Sequence, residues 1–150
     1  MNTRWVLVDG YSLLHQWAMF LTRSGRSGTL AQRRDLLVKT LQQYADQTGH
    51  PVTVVFDGGA AKHQPDPDPT GPGLHVVFSP RGKTADDVIE RLVAQAGHRD
   101  RILVVSSDNM VRQTVETLGA HSTSAEMFED ETRAALRALG AAVRAHTRRH

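Results

Sequence analysis

The chain predicts an open three-layer α/β/α sandwich with a mostly parallel central sheet of four or five strands, and three observations carry that expectation. Short valine-rich runs, WVLV (5–8), VTVVF (52–56), LHVVF (74–78) and ILVV (102–105), are apolar almost without interruption. That is the pattern of strands covered on both faces rather than on one. Helical periodicities lie between most of these runs, the β–α alternation of a parallel sheet. Three of the runs close on an aspartate, at Asp9, Asp57 and Asp108, directly or within a few residues.

Taken in order, strand 5–8 leads through Asp9-Gly10 into the helical stretch SLLHQWAMFL. The glycine-rich SGRSG (24–28) reads as a loop. Leu30–Gln47 has helical spacing with Leu36, Leu37, Thr40, Leu41 and Tyr44 on one face, and Gly49 ends it. Strand 52–56 runs into GGAAKHQPDPDPTGPG (58–73), which holds four of the six prolines and reads as a loop between two strands. After strand 74–78, Thr84 precedes ADDVIERLVAQA, with Val88, Ile89, Leu92 and Val93 at helical spacing and Thr84 with Asp87 resembling a capping pair. Strand 102–105 is followed by a helix over 109–118, closed by Gly119. A fifth short strand is expected near Ala120–Ser122. A last helix starts near Thr123, with Glu126 completing a capping box, and runs towards Arg144, leaving about 144–150 as a basic flexible tail.

At 150 residues the chain reads as one domain, 1–150, with an ordinary 39% hydrophobic and 23% charged content. No cysteine is present, so neither disulfides nor thiolate metal sites are available. No secretory leader or membrane-length apolar run is visible, and a cytoplasmic location is expected. The formal charge is +2, with a sequence pI near 9.4. Arginines cluster around 23–34, 81–83 and 99–101 and in the final residues, flanking the acids in a way that suits a polyanion meeting a metal. The phosphate-cradling G-x-G-x-x-G and G-x-x-x-x-G-K-[ST] motifs and the G-x-S-x-G nucleophile elbow are all missing from the sequence.

In an open parallel sheet, ligands bind outside the carboxyl ends of the strands. Asp9, Asp57 and Asp108 fall at those ends, and Asp86 and Asp87 open the helix after Thr84, so one crevice should collect them. Gathering like charges is unfavourable: a pair at ~4 Å costs about 4 kcal/mol at an effective dielectric near 20. A divalent cation offsets that cost. With oxygen ligands only, Mg²⁺ or Mn²⁺ is favoured, as one or two ions. Any one acid also has an ordinary use, as a turn former (Asp9), a favourable charge on a helix dipole (Asp86, Asp87) or a cap (Asp108). Repetition at three strand ends favours the shared site.

Together these segments resemble the YacP-like NYN domain, a branch of the PIN-like metal-dependent ribonucleases. VLVDGYSLLHQW is similar to the family's opening D-G-Y-N segment and VTVVFDGG to its second strand and acid. VVFSPRGKTADDVIERL resembles its T-A-D-x-x-I-E-R signature, ILVVSSDNMVRQ its S-D motif, and LGAHSTSAEMFEDE its closing segment. The resemblance spans roughly 5–135. It implies metal-binding, catalytic acids at Asp9, Asp86 and Asp108, with Asp57 completing the cluster and Asp86 ranking above Asp87. Glu90 shares a helical face with Asp86 and is placed to orient a water at the metal, and Ser107 positions Asp108. Ser12 stands where the family usually has asparagine.

The resemblance further implies cleavage of single-stranded RNA, in some members of messenger RNA engaged by the ribosome. The alternative is an RNA- or ribosome-binding module that keeps the fold without catalysis. Arg81, Lys83 and Arg112 flank the acidic motifs as candidate phosphate contacts, followed by Arg23, Arg26, Arg33 and Arg34. Tyr11 is a candidate for stacking on a base or for packing over the first helix. The expected assembly is a monomer or weak homodimer, without a membrane partner.

Overall fold

The computed structural model describes residues 3–22, 25–26, 28–58 and 71–149. Five strands form one wholly parallel sheet: β1 (Trp5–Asp9), β4 (Val52–Phe56), β5 (Leu74–Phe78), β6 (Ile102–Val105) and β7 (His121–Thr123), in the order β5-β4-β1-β6-β7. β1 is central, with Val8 beside Val54 on one flank and Val105 on the other. All five residues of β4 are buried, as two-sided cover requires.

The two faces draw on alternate residues of the same strands. Val6 and Val8 of β1 join Val52, Val54 and Phe56 under α1 (Gly10–Gln16), α2 (Leu30–Thr48) and α5 (Ala125–Arg149), where Leu13, Leu14, Trp17, Leu37, Leu41, Tyr44 and Phe128 complete a core. Leu7 faces the other way, with Val55 and Val104, against Ile89 and Val93 of α3 (Ala85–Gln95) and Val111 and Val115 of α4 (Asn109–Thr117). The fold is thus the expected three-layer sandwich, its core built by the period of two along each strand.

Several boundaries differ from the sequence reading. Leu36 is 44% exposed: one residue before Leu37 it is turned about 100° around the helix, off the buried arc. The start of α2 is set by Thr29, whose hydroxyl accepts from Gln32 N while Gln32 returns a bond to Thr29 N, a capping box the sequence reading passed over. Thr123 does not cap α5, because its backbone belongs to β7. Ser124 does so instead, accepting from Met127 N at 3.1 Å, and Glu126 falls in the first turn rather than closing a box. Helix α5 continues through Arg149, so the segment expected as a tail beyond Arg144 is helical backbone. The helix expected over SLLHQWAMFL ends at Gln16, and the last residue of that stretch, Leu21, belongs to β2 (Leu21–Thr22), which pairs antiparallel with β3 (Gly25–Arg26) inside the glycine-rich stretch expected to be a loop. Most of the proline-rich loop, 59–70, lies outside the described residues.

Trp17 is a core residue, donating from Nε1 to the Ala125 carbonyl at 2.9 Å and tying α1 to α5. Trp5 bonds Thr53 Oγ1 across the sheet. Both are therefore packing residues. No helix among the described residues is long and apolar enough to cross a membrane.

Candidate active site

The strand order 5-4-1-6-7 reverses direction between β1 and β6, since the chain first builds outward on one side of β1 and then crosses to the other. Such a switch point opens a crevice at the carboxyl edge, because the connections leaving the two strands pass to opposite faces. Asp9 ends β1 on one side of it. Asp108 follows β6 on the other, and Asp57 and Asp86 approach from β4 and α3.

Asp9 is held where the strand turns directly into α1. That turn needs a residue without a side chain next in line: a Cβ on Gly10 would lie 2.3 Å from the Phe56 ring. The second Asp-Gly pair follows the same logic, since a Cβ on Gly58 would meet the Ser79 carbonyl oxygen at 2.5 Å. In both places the glycine lets the loop press against neighbouring structure directly after an acid.

Ser12, 5% exposed in the first turn of α1, joins the two sides of the crevice. Its hydroxyl donates to Asp9 Oδ2 at 2.9 Å and stands 3.0 Å from both the backbone nitrogen and the Oγ of Ser107. Burial pushes the Asp9 carboxyl up. The Ser12 hydroxyl pulls it back, and the charge of Asp57 adds to the rise.

Asp57 is exposed, and its Oδ1 accepts from Ala85 N at 2.7 Å. It therefore satisfies one of the orphan N–H groups that open α3 and fixes the helix end carrying Asp86. Asp86 is pushed up to about 6, first by burial, then by the charges of Asp9, Asp108, Asp57 and Glu90 in that order. Five carboxylates thus share one field, although Asp9, Asp57, Asp86 and Asp108 come from four separate stretches of chain.

Asp87, one residue on, points elsewhere. It is the partner of Thr84 in a capping box, with Thr84 N donating to its Oδ2 at 3.0 Å and Thr84 Oγ1 accepting from Asp87 N at 3.1 Å. Those bonds lower its pKa. The acid ranked second in this pair is accordingly a cap. Asp108 caps α4 through Oδ1, which accepts from Met110 N at 2.8 Å, and its own N–H is held by the Ser106 hydroxyl at 3.1 Å. Asp57 and Asp108 thus each commit one carboxylate oxygen to the scaffold through these bonds.

Sequence reasoning missed Ser106 and Ser79. Ser106 is wholly buried and orients the loop that carries Asp108; Ser79 Oγ accepts from Gly58 N at 3.0 Å and steadies the loop after Asp57. A serine directly after a valine-rich strand was the available signal. Among the cations, Arg81 and Lys83 are exposed in the turn before α3, and Arg112 is half-buried on α4. Arg33 is not on the surface: its guanidinium is buried and holds the Gly28 carbonyl at 2.8 Å. Arg34 lies over the Phe78 ring, and Tyr11 packs edge-on against Phe56, with centroids 5.6 Å apart. Arg23 falls outside the described residues.

The donor set fits a hard divalent cation, with oxygen donors alone and several negative charges acting on Asp86 beside its burial. The carboxylates are neighbours rather than a closed cage, since among the described residues no three His, Asp or Glu side chains are grouped closely enough to hold one ion. One or two carboxylates with water completing the shell is the usual arrangement for Mg²⁺.

The sequence of the YacP-like NYN domain matches this chain over residues 6–150. The chain belongs to that family. The uncharacterized protein YacP of Bacillus subtilis (strain 168) is 32% identical to this YacP-like NYN domain over 126 residues, 80% of this chain and 69% of the relative. Two crystal structures of Rae1 (YacP) from Bacillus subtilis, one of them a point mutant, superpose with TM-scores of 0.76 and 0.73 at 28% identity. They cover 95% and 99% of this chain and 82% and 83% of theirs. The NYN domain thus has the PIN-like fold of a nuclease superfamily.

Proposed function

We propose that this NYN domain is a metal-dependent endoribonuclease that hydrolyses single-stranded RNA at the β1–β6 crevice. The observation that carries the reading is the meeting of Asp9, Asp57, Asp86, Glu90 and Asp108 at the carboxyl edge of the parallel sheet, near enough for the other four charges to act on Asp86. Negative charge concentrated at a strand-end crevice is unfavourable by itself and becomes useful once a cation neutralises it.

A Mg²⁺ or Mn²⁺ ion there supplies a nucleophilic water at neutral pH and neutralises charge developing on the phosphodiester. Asp9, Asp86 and Asp108 are the residues that would hold it, one or two of them directly and the rest through water. Asp57 contributes its charge and, through Ala85 N, keeps Asp86 in place. Ser12 orients Asp9, and Ser107 ties that pair to the Asp108 loop. Glu90, one helical turn from Asp86, is placed to orient the attacking water. Arg81 and Lys83 bind flanking phosphates, as does Arg112, while Tyr11 borders the strand's path. Messenger RNA engaged by the ribosome is the substrate context carried over from the family resemblance, the cytoplasm is its setting, and the working unit is a monomer or weak homodimer.

A non-catalytic RNA-binding module is the competing reading, and its main support was serine at position 12. That support weakens here, because Ser12 makes the bridging contacts itself. Purified protein incubated with single-stranded RNA and Mn²⁺, beside Asp9→Asn, tests the proposal. Cleavage by the parent and at least a hundredfold less by the variant is expected; equal cleavage by both sinks it.

A further inference from the structure

We propose that a pocket between α4 and the start of α5 seats one phosphodiester of the RNA strand, a nucleotide away from the linkage being cut. The position relative to the cut rests on the proposed nuclease reading; the pocket's preference for a phosphodiester does not. The pocket holds about 240 Å³ and is lined by Gln16, Ser107, Arg112, Ser124, Ala125 and Glu126. It adjoins the acidic crevice through Ser107, which precedes Asp108 in the chain and meets Ser12 through its backbone nitrogen and hydroxyl.

The cation in this pocket is incompletely used. Arg112 Nη2 bonds Asn109 Oδ1, which fixes the guanidinium plane, while its Nε is shielded from solvent with no acceptor. A shielded guanidinium nitrogen without a partner is unfavourable and marks a place where an acceptor belongs. A phosphate presents two oxygens at the spacing of the guanidinium fork. Across the pocket, Ser124 caps α5 by accepting from Met127 N. The first-turn N–H groups of Ala125 and Glu126 have no acceptor within the helix, and a 25-residue helix adds its positive end. The hydroxyls of Ser107 and Ser124 and the Gln16 amide complete a polar wall.

Glu126 selects among anions. Its carboxylate repels a doubly charged free phosphate or phosphate monoester more than a singly charged diester. The occupant is therefore an internal linkage of a strand rather than a terminal phosphate or a free ion.

Short single-stranded RNA, carrying one neutral methylphosphonate linkage walked along its length, tests this by binding to the intact protein in Ca²⁺, which occupies oxygen sites but activates water poorly. At one linkage, neutralisation should weaken binding to the parent about tenfold. In Arg112→Ala the same substitution should have no further effect, and the slope of log K against log salt should shrink by about 0.7. Arg112→Lys keeps the charge but not the fork and should retain part of the linkage preference; it serves also if the alanine variant fails to fold. A methylphosphonate profile identical in parent and variants overturns the proposal, as does displacement of RNA by inorganic phosphate that depends on Arg112 as strongly as RNA does. If the parent binds with an Arg112-dependent linkage yet cuts no RNA, the pocket stands and the nuclease reading falls.

Discussion

The Ser12 hydroxyl and the Ser107 backbone nitrogen, 95 residues apart in the chain, stand 3.0 Å from one another across the β1–β6 switch point. The same hydroxyl is 2.9 Å from Asp9, so one small side chain joins both walls of the crevice and orients an acid at once. Ser12→Ala removes all of these bonds and leaves a buried carboxylate with less support. Activity in Mn²⁺ should fall about 10–100-fold, the usual effect of losing a partner that orients a ligand. Stability should fall by about 1–2 kcal/mol. Steady-state cleavage and urea unfolding of the same preparation read both, and an unchanged kcat/KM removes Ser12 from the site.

Asp86 is crowded by like charge, so Asp86→Asn should stabilise the metal-free protein while abolishing its response to metal. Because Asp86 is only half-buried and water still screens its neighbours' charges, the gain is on the order of 0.5–1 kcal/mol, a Tm rise of about 2 °C. The pH dependence follows from the direction of the shift. The folded-state pKa of about 6 lies above the unfolded value, so the folded protein takes up the proton first. The penalty on the parent is full above pH 6 and disappears as pH falls towards 4. Thermal melts in EDTA at pH 7.5 and 4.5 should show the variant's advantage only at the higher pH. In Mn²⁺ at 100 times Kd the parent should gain about 2.7 kcal/mol, and the variant far less.

Asp57 separates scaffold from charge. Asp57→Asn keeps an oxygen to accept from Ala85 N and should melt within about 1 °C of the parent, whereas Asp57→Ala loses the cap and about 1 kcal/mol. Both remove the charge, so both should weaken Mn²⁺ binding, the alanine variant more because Asp86 loses its anchor. Differential scanning fluorimetry with a Mn²⁺ titration distinguishes them; equal melting of the two variants contradicts the capping role.

Gly10→Ala drives a methyl group into the Phe56 ring. A loss of about 1–3 kcal/mol is expected, as for overpacking elsewhere. It should appear as a lower urea midpoint with an unchanged m-value. Phe56→Leu should recover part of the loss in the double variant, because the clash is with the ring edge.

Much of this was legible along the chain. The continuous valine runs set four strands to within a residue, since a strand buried on both faces leaves no room for polar alternation. Asp9, Asp57 and Asp108 stood at their ends, and Thr84 with Asp87 spelled out a cap. What could not be read locally depended on neighbours distant in sequence. Whether Leu36 or Ala45 faced the core was decided by how α2 lay on the sheet. Thr123 went to β7 rather than to a cap because β6 offered it hydrogen-bond partners. The role of Ser12 existed only once β1 and β6 were adjacent, and Arg33 turned inward because the Gly28 carbonyl was there to receive it.

The sequence by itself determined the elements, their parallel arrangement and the acids at the strand ends, because backbone period and strand-end chemistry are local properties. Tertiary structure alone decided which oxygen of each acid is committed to the scaffold, how strongly the carboxylates press on one another, and where Arg112 meets the start of α5. Those depend on distances between segments that no local pattern encodes, and electrostatic energy changes steeply with such distances in a partly buried crevice.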